Sequence, residues 1–110
     1  MGVKEVRIHY IPAQTGVDPI DLFIIWYGEH KSQITIRCWD SAWTGYRGGH
    51  WTEKAENYLI ECIDQGMTDH LVQLFSRTRS PREIKWLTQI LGSIHKYLKE
   101  LDKEETPNGH

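Results

Sequence analysis

Residues 21–39 read DLFIIWYGEHKSQITIRCW and decide the fold. The part at 21–27 is apolar on both faces and rich in residues that favour strands, which predicts a central β-strand. Apolar and polar side chains alternate at 33–39, so this part predicts a second, half-buried strand. The polar link at 28–32 is typical of a turn. Two strands joined so closely pair antiparallel, and they form the centre of the predicted sheet.

Further strands are predicted on either side of this pair. Residues 4–11 alternate, with Val6, Ile8 and Tyr10 on the apolar face, and we expect that face to be the buried one. The stretch AWTGYR at 42–47 predicts a short fourth strand. The N-terminal half is therefore expected to form a meander of three or four antiparallel strands.

The second half of the chain changes to the helical period. Helices are predicted over 53–65 and 69–75, each with apolar residues on one face. The start of a third helix is marked by Ser-Pro-Arg-Glu at 80–83, where serine is the expected N-cap and Glu83 completes a capping box. Apolar residues then recur at intervals of three and four along this helix: Ile84, Leu87, Leu91, Ile94, Leu98 and Leu101.

These elements indicate a single α+β domain over residues 1–101 and a frayed polar tail over 102–110. Two or three C-terminal helices are expected to cover one face of the N-terminal sheet. Of the 110 residues 39% are hydrophobic, which is too many for a disordered protein. The 13 basic and 15 acidic residues give a net charge of −2, which excludes a strongly basic nucleic-acid-binding protein and a polyacidic DNA mimic.

The sequence carries no recognisable signal for export or membrane insertion. Its N-terminus lacks the apolar segment and cleavage site of a secretory signal. The longest apolar run, 22–27, is far shorter than the roughly 20 residues that a membrane helix needs. Cys38 and Cys62 lie in apolar patterns typical of buried free thiols. We therefore expect a protein of the reducing cytoplasm that makes no contact with membranes.

No motif for catalysis or for a metal site is recognised. The six histidines are scattered, with no pair at i,i+4 and no Cys-x-x-Cys or His-Glu-x-x-His. A Gly-x-Ser-x-Gly nucleophile motif and a phosphate-binding loop are also missing. We expect no enzymatic activity, no cofactor and no metal. A deep pocket that brought Asp40, His50 and Glu53 together would favour an enzyme instead.

The most unusual segment is WDSAWTGYRGGHW at 39–51, which holds three Trp, one Tyr, one Arg, one His and three Gly. Trp, Tyr and Arg dominate the hot spots of protein interfaces, and aromatic residues with Arg also stack on single-stranded bases. The alternative is that these rings pack within the chain itself. The candidate partner-binding residues are Trp39, Trp43, Tyr46, Arg47, His50 and Trp51.

A cluster of cations surrounds the start of the third helix. Because positive charge there opposes the helix dipole, these residues are not placed for helix stability. They are candidates for contact with phosphates or with an acidic partner, and the alternative is a solvated loop. If the cluster and the aromatic segment share one face, nucleic-acid binding is favoured. The residues are Arg77, Arg79, Arg82 and Lys85.

The third helix carries apolar residues beyond its main stripe. Trp86, Ile90 and Tyr97 extend its apolar surface, with Ile90 and Tyr97 at the same heptad position. A helix that is apolar this far round is either sandwiched between layers or shared with a second copy of the chain. We therefore consider a homodimer through this helix.

The region from Ile34 to Phe75 resembles a small family of proteins encoded by phages and prophages of bacteria. In that family an I-T-I strand leads to an A-W-T motif, a Gly-containing aromatic loop, and a helix ending in a Leu-rich turn. The matching positions here are Ile34-Thr35-Ile36, Ala42-Trp43-Thr44, Gly48-Gly49 and His70-Leu71. The resemblance implies a phage source and a small size, and it implies no catalytic residues.

Two hypotheses of function follow from these observations. The first is a non-enzymatic protein that binds a bacterial host protein, such as a component of defence or replication, and inhibits or redirects it. The second is a nucleic-acid-binding module that combines the aromatic segment with the arginine cluster.

Overall fold

The computed structural model describes residues 2–28, 31–47 and 54–105. Within them the chain forms four strands and then three helices, which confirms the predicted α+β class. These elements are β1 (Glu5–Ile11), β2 (Ile20–Gly28), β3 (Lys31–Cys38), β4 (Ser41–Arg47), α1 (Ala55–Asp64), α2 (Thr68–Phe75) and α3 (Pro81–Glu105).

The strands form one antiparallel sheet in the order β1-β2-β3-β4. Each strand therefore pairs with its neighbour along the chain, as expected for a meander. Strands β2 and β3 occupy the centre, in agreement with the apolar pattern at 21–39. Cys38 pairs with Ser41, so only two residues turn the chain between β3 and β4.

The core lies between one face of the sheet and the three helices. It contains the inward side chains of the strands, such as Leu22 and Ile36, together with Leu59, Phe75 and Leu91 from the helices. We call this side the inner face and the opposite side the outer face. The strands contribute an apolar side chain at every second residue, and the helices contribute them at the helical period. The two sets thus meet in one layer.

Gly45 allows α2 to approach β4 closely. A Cβ atom at this position would lie 2.8 Å from Cγ of Leu74 and 3.1 Å from Cε1 of Phe75. Any side chain here would therefore push the helix away from the sheet. This contact fixes the distance between the helical layer and the β3–β4 hairpin.

The prediction for β1 is wrong about which face is buried. Val6, Ile8 and Tyr10 lie on the outer face and are 50–62% exposed, whereas Arg7 and His9 point toward the helices. The reason is the register, because Ile11 is buried opposite Ile20 and the alternation of the strand then turns every second residue inward.

Glu56 of α1 compensates for the two basic residues on the inner face. Its carboxylate accepts two hydrogen bonds of 2.8 Å from Arg7, and its Oε2 lies 2.8 Å from Nε2 of His9. Tyr97 of α3 contacts the His9 ring edge-on at 6.1 Å between centroids. These contacts join the edge strand to two helices, and the one between Arg7 and Glu56 spans 49 residues in sequence.

The residues that extend the apolar surface of α3 pack largely within the chain. Ile90 is completely buried in the core of its own chain, and Trp86 and Tyr97 are partly buried against that core. This helix is therefore covered by the sheet and the other helices, which is the alternative that the sequence left open. It continues through Glu105, beyond the predicted end at Leu101.

No helix in the described part of the chain is long and apolar enough to cross a membrane. Cys38 and Cys62 are free thiols and both are buried, as predicted. Burial, together with the nearby Asp18 carboxylate, raises the pKa of Cys38. A thiol with a raised pKa is a poor nucleophile at neutral pH, so Cys38 acts as a core residue.

Candidate functional site

A groove of about 480 Å³ separates the tip of the β3–β4 hairpin from the start of α3. This volume lies in the range of binding pockets for small molecules and side chains. The groove brings together members of the aromatic segment and of the arginine cluster, which lie far apart in sequence. Its lining residues are Trp39, Asp40, Ser41, Trp43, Arg77, Ser80, Arg82, Glu83 and Trp86.

Trp39 forms one wall of the groove and is 72% exposed. It is the first residue of the two-residue turn after β3, and its φ angle is 58°. A positive φ is unfavourable for any residue with a Cβ, and turns of this kind usually have glycine there. The fold therefore gains little from tryptophan at this position.

The strain at Trp39 can be measured by comparing two substitutions. We expect Trp39→Gly to be about 1 kcal/mol more stable than Trp39→Ala, because only glycine relieves the positive φ. Both variants remove the ring, so the difference isolates the backbone. Urea unfolding of the two proteins measures it, and an alanine variant as stable as the glycine variant would contradict the assigned turn geometry.

Trp43 and Trp86 lie between the two walls. Their rings meet edge to face, with 5.1 Å between centroids and 87° between planes. Trp43 is only 2% exposed, whereas Trp86 is partly open to the groove. The indole Nε1 of Trp43 donates a hydrogen bond of 3.1 Å to Glu83. The candidate residue Trp43 therefore supports the groove from inside the core.

Glu83 organises the loop between α2 and α3. Its carboxylate accepts hydrogen bonds from the backbone N–H groups of Thr78 and Arg79, both at 3.0 Å, and from the hydroxyl of Ser76. The predicted capping box is half formed, because Ser80 Oγ accepts from the Glu83 N–H at 3.2 Å. The carboxylate reaches past the Ser80 N–H to the preceding residues, so it fixes the whole loop.

The same contacts keep Glu83 ionised. The hydrogen bond from Ser76, together with those from Trp43 and the backbone of Thr78 and Arg79, lowers the pKa of Glu83 well below its usual range. A carboxylate whose pKa lies so low is not matched to general acid or base catalysis near neutral pH. The arrangement suits Glu83 to a positioning role.

Arg77 and Arg82 supply the positive charge of the groove. Both are exposed, and neither guanidinium forms an ion pair with a carboxylate of the described residues. The predicted contacts Arg79 and Lys85 are also exposed but do not line the groove. The arginine cluster is therefore divided, with two members placed to meet a ligand.

The predicted aromatic site is also divided. Arg47 is only 7% exposed, with its guanidinium carbon 4.1 Å from the ring centre of Tyr58, so it packs within its own chain. Tyr46 is exposed but lies on the outer face of β4, away from the groove lining. His50 and Trp51 lie outside the described residues.

Sequence reasoning missed two features of the groove. Asp40 and Ser41 line it only because the hairpin turns at that point, which the fourth predicted strand could have indicated. The link between Trp43 and Glu83 spans 40 residues and left no local signal. Among the described residues, no group of three or more His, Cys, Asp or Glu side chains is arranged to hold a metal ion.

Comparison with known proteins identifies a family. A family model described as "Phage family" matches residues 1–104. The match includes the region from Ile34 to Phe75 that carried the resemblance, and it confirms a small phage-encoded family. No curated protein and no solved structure matches the chain.

Proposed function

Because the chain belongs to this phage family, we propose that it is a non-enzymatic protein that binds a bacterial host protein and inhibits or redirects it. The proposed binding surface is the groove between the β3–β4 hairpin and α3. Its proposed occupant is an acidic segment of the host protein that carries an apolar or aromatic side chain. The proposed place of binding is the cytoplasm of the host.

The observation that carries this proposal is the position of Trp39. An exposed tryptophan at a positive φ stands on one wall of the groove, and two arginines without ion pairs in the described part of the chain stand on the other. Exposed Trp and Arg side chains around a pocket are typical of interface hot spots. The strained turn fits a residue kept for binding better than one kept for stability.

The chemistry of the groove suggests what each residue contacts. Arg77 and Arg82 are suited to carboxylates, which a guanidinium binds through two parallel hydrogen bonds. Trp39 and Trp86 offer ring surface to an apolar or aromatic side chain lying between them. Glu83 holds the arginine-bearing loop in place before binding, which reduces the entropy lost on association.

Nucleic-acid binding is the second candidate, and one observation favours it. Members of the aromatic segment and of the arginine cluster line one groove, which is the arrangement that stacked bases and phosphates require. Asp40 in the same groove and the net charge of −2 oppose a polyanionic ligand. The protein partner is therefore preferred.

Affinity capture from a nuclease-treated bacterial lysate tests the proposal. We expect the wild type to retain a host protein whose affinity falls about tenfold or more in Trp39→Gly and in the double variant Arg77→Gln with Arg82→Gln. The matched control is Arg79→Gln with Lys85→Gln, which removes the same charge outside the groove and is expected to bind as the wild type does.

Two outcomes would contradict the proposal. If the groove variants retained the same proteins, the binding surface would lie elsewhere on the molecule. Retention that disappears on nuclease treatment, with binding to single-stranded DNA or RNA that weakens steeply with salt, would support the nucleic-acid function instead.

A further inference from the structure

The outer face of the sheet is unusually apolar for an uncovered surface. On β1 the side chains of Val6, Ile8 and Tyr10 are exposed, and on β2 those of Phe23 and Ile25 beside them are half-buried. An antiparallel sheet with one solvated face normally carries polar residues there. A continuous apolar area of this kind marks a surface that another molecule covers.

Several polar groups of the same face are already hydrogen-bonded within the chain. The hydroxyl of Tyr27 donates to Gln33 at 2.8 Å, and the amide of Gln33 donates to Thr35 Oγ1 at 3.1 Å. Thr35 and Thr44 then lie 3.0 Å apart between hydroxyl oxygens. Covering these groups leaves each of them with a partner, so a second surface can lie on this face at little desolvation cost.

An ion pair within the face is matched in the same way. Nη1 of Arg37 on β3 lies 3.0 Å from Oδ2 of Asp21 on β2. The two charges stay paired when the face is covered, whereas a single unpaired charge would oppose burial.

We propose that a second copy of this chain covers the outer face, so that two sheets pack face to face with the helices outside. The row Ile8–Phe23–Thr35–Thr44 runs across the middle of the sheet. A two-fold axis parallel to this row, midway between the two sheets, places each residue of the row over the same residue of the second copy. The apolar half of one sheet then lies on the apolar half of the other.

The ends of the outer strands β1 and β4 are complementary under this symmetry, whereas on β2 the same axis places Ile25 of one copy over Asp21 of the other. Tyr46 and Ala42 lie on β4 at equal distances from the middle row, so the large ring of one copy lies over the small side chain of the other. Val6 and Tyr10 on β1 are related in the same way. Large side chains facing small ones are what close sheet packing requires.

The flat area of the face is close to the lower limit for a specific dimer. Four strands of seven residues cover about 19 by 23 Å, so the two faces together have a flat area of about 900 Å². The uneven surface of the side chains adds to this area. Specific interfaces begin near a total of about 1,000 Å². We therefore expect association in the micromolar range.

Sedimentation equilibrium of the full chain from about 1 to about 300 µM tests this proposal. The wild type is expected to change from the mass of one chain to that of two. Ile8→Glu and Ala42→Glu each place a charge inside the proposed interface and are expected to weaken association about thirtyfold or more. Ala42 is small and exposed, so the second substitution removes no packing within the chain.

The control is Ile84→Glu, which changes an exposed apolar residue of α3 and is expected to leave the dimer intact. A wild type that stays monomeric throughout would overturn the proposal and leave the face to another kind of partner. A dimer that survives both outer-face substitutions, or that Ile84→Glu dissociates, would also overturn it. Circular dichroism of each variant establishes that the fold is retained.

Discussion

Replacing Trp43 with alanine is expected to lower the free energy of unfolding by about 4 kcal/mol. The ring is fully enclosed between β4 and α3, and its removal leaves a cavity beside Trp86. Edge-to-face packing adds to this loss, and the Glu83 carboxylate loses the indole donor. A domain of this size has a total stability of roughly 5–15 kcal/mol, so the change is close to unfolding the protein.

Urea unfolding monitored by circular dichroism measures this loss. The matched control is Trp39→Ala, which removes a tryptophan of the same hairpin that is exposed, and which is expected to cost less than about 0.5 kcal/mol. Equal losses for the two variants would contradict the different burial of the two rings. The result also decides how binding data are interpreted, because a Trp43 variant loses the groove together with the fold.

The second large effect is expected from acid. Burial raises the pKa of Glu56, but the hydrogen bonds from Arg7 and His9 outweigh it and lower the pKa to about 2. The unfolded chain has the ordinary value near 4.5. The folded pKa is the lower one, so Glu56 stabilises the fold above about pH 5 and this contribution is lost as the pH falls toward 2. The loss amounts to about 3 kcal/mol.

A charge-removing variant separates Glu56 from the other carboxylates. Glu56→Gln is expected to be less stable than the wild type by about 3 kcal/mol at pH 7 and by only about 1 kcal/mol at pH 2.5. The control Glu61→Gln changes an exposed residue of the same helix and is expected to follow the wild type at both pH values. A difference between Glu56→Gln and the wild type that does not depend on pH would show that shape, not charge, is what Glu56 contributes.

The secondary structure and its order were predictable because they depend on local patterns. Alternation over 33–39 and the helical spacing from Ile84 onward each report on neighbouring residues, and both elements are present. The covered face of β1 was not predictable, because alternation tells which residues share a face and not which face meets the helices. Glu56, far away in sequence, supplies the partner for the basic residues that the register of β1 turns inward.

The candidate site was predictable only in part, for the same reason. Composition pointed to the segment 39–51, but the alternation of β4 turns Trp43 and Arg47 inward and leaves Tyr46 outside. The residue that faces the groove, Trp39, does so because it occupies a turn. The meeting of that turn with Arg77 and Arg82 depends on the packing of α2 against Gly45.

The meander order of the sheet also determines how fast the chain folds. Every strand pairing is made by a short hairpin or a nearby loop, so the sheet forms from contacts that are local in sequence. The long-range steps join the sheet to the helices, and they include the contacts of Arg7 with Glu56 and of Trp43 with Glu83. During synthesis the strands emerge from the ribosome first, and docking of the helical layer completes folding.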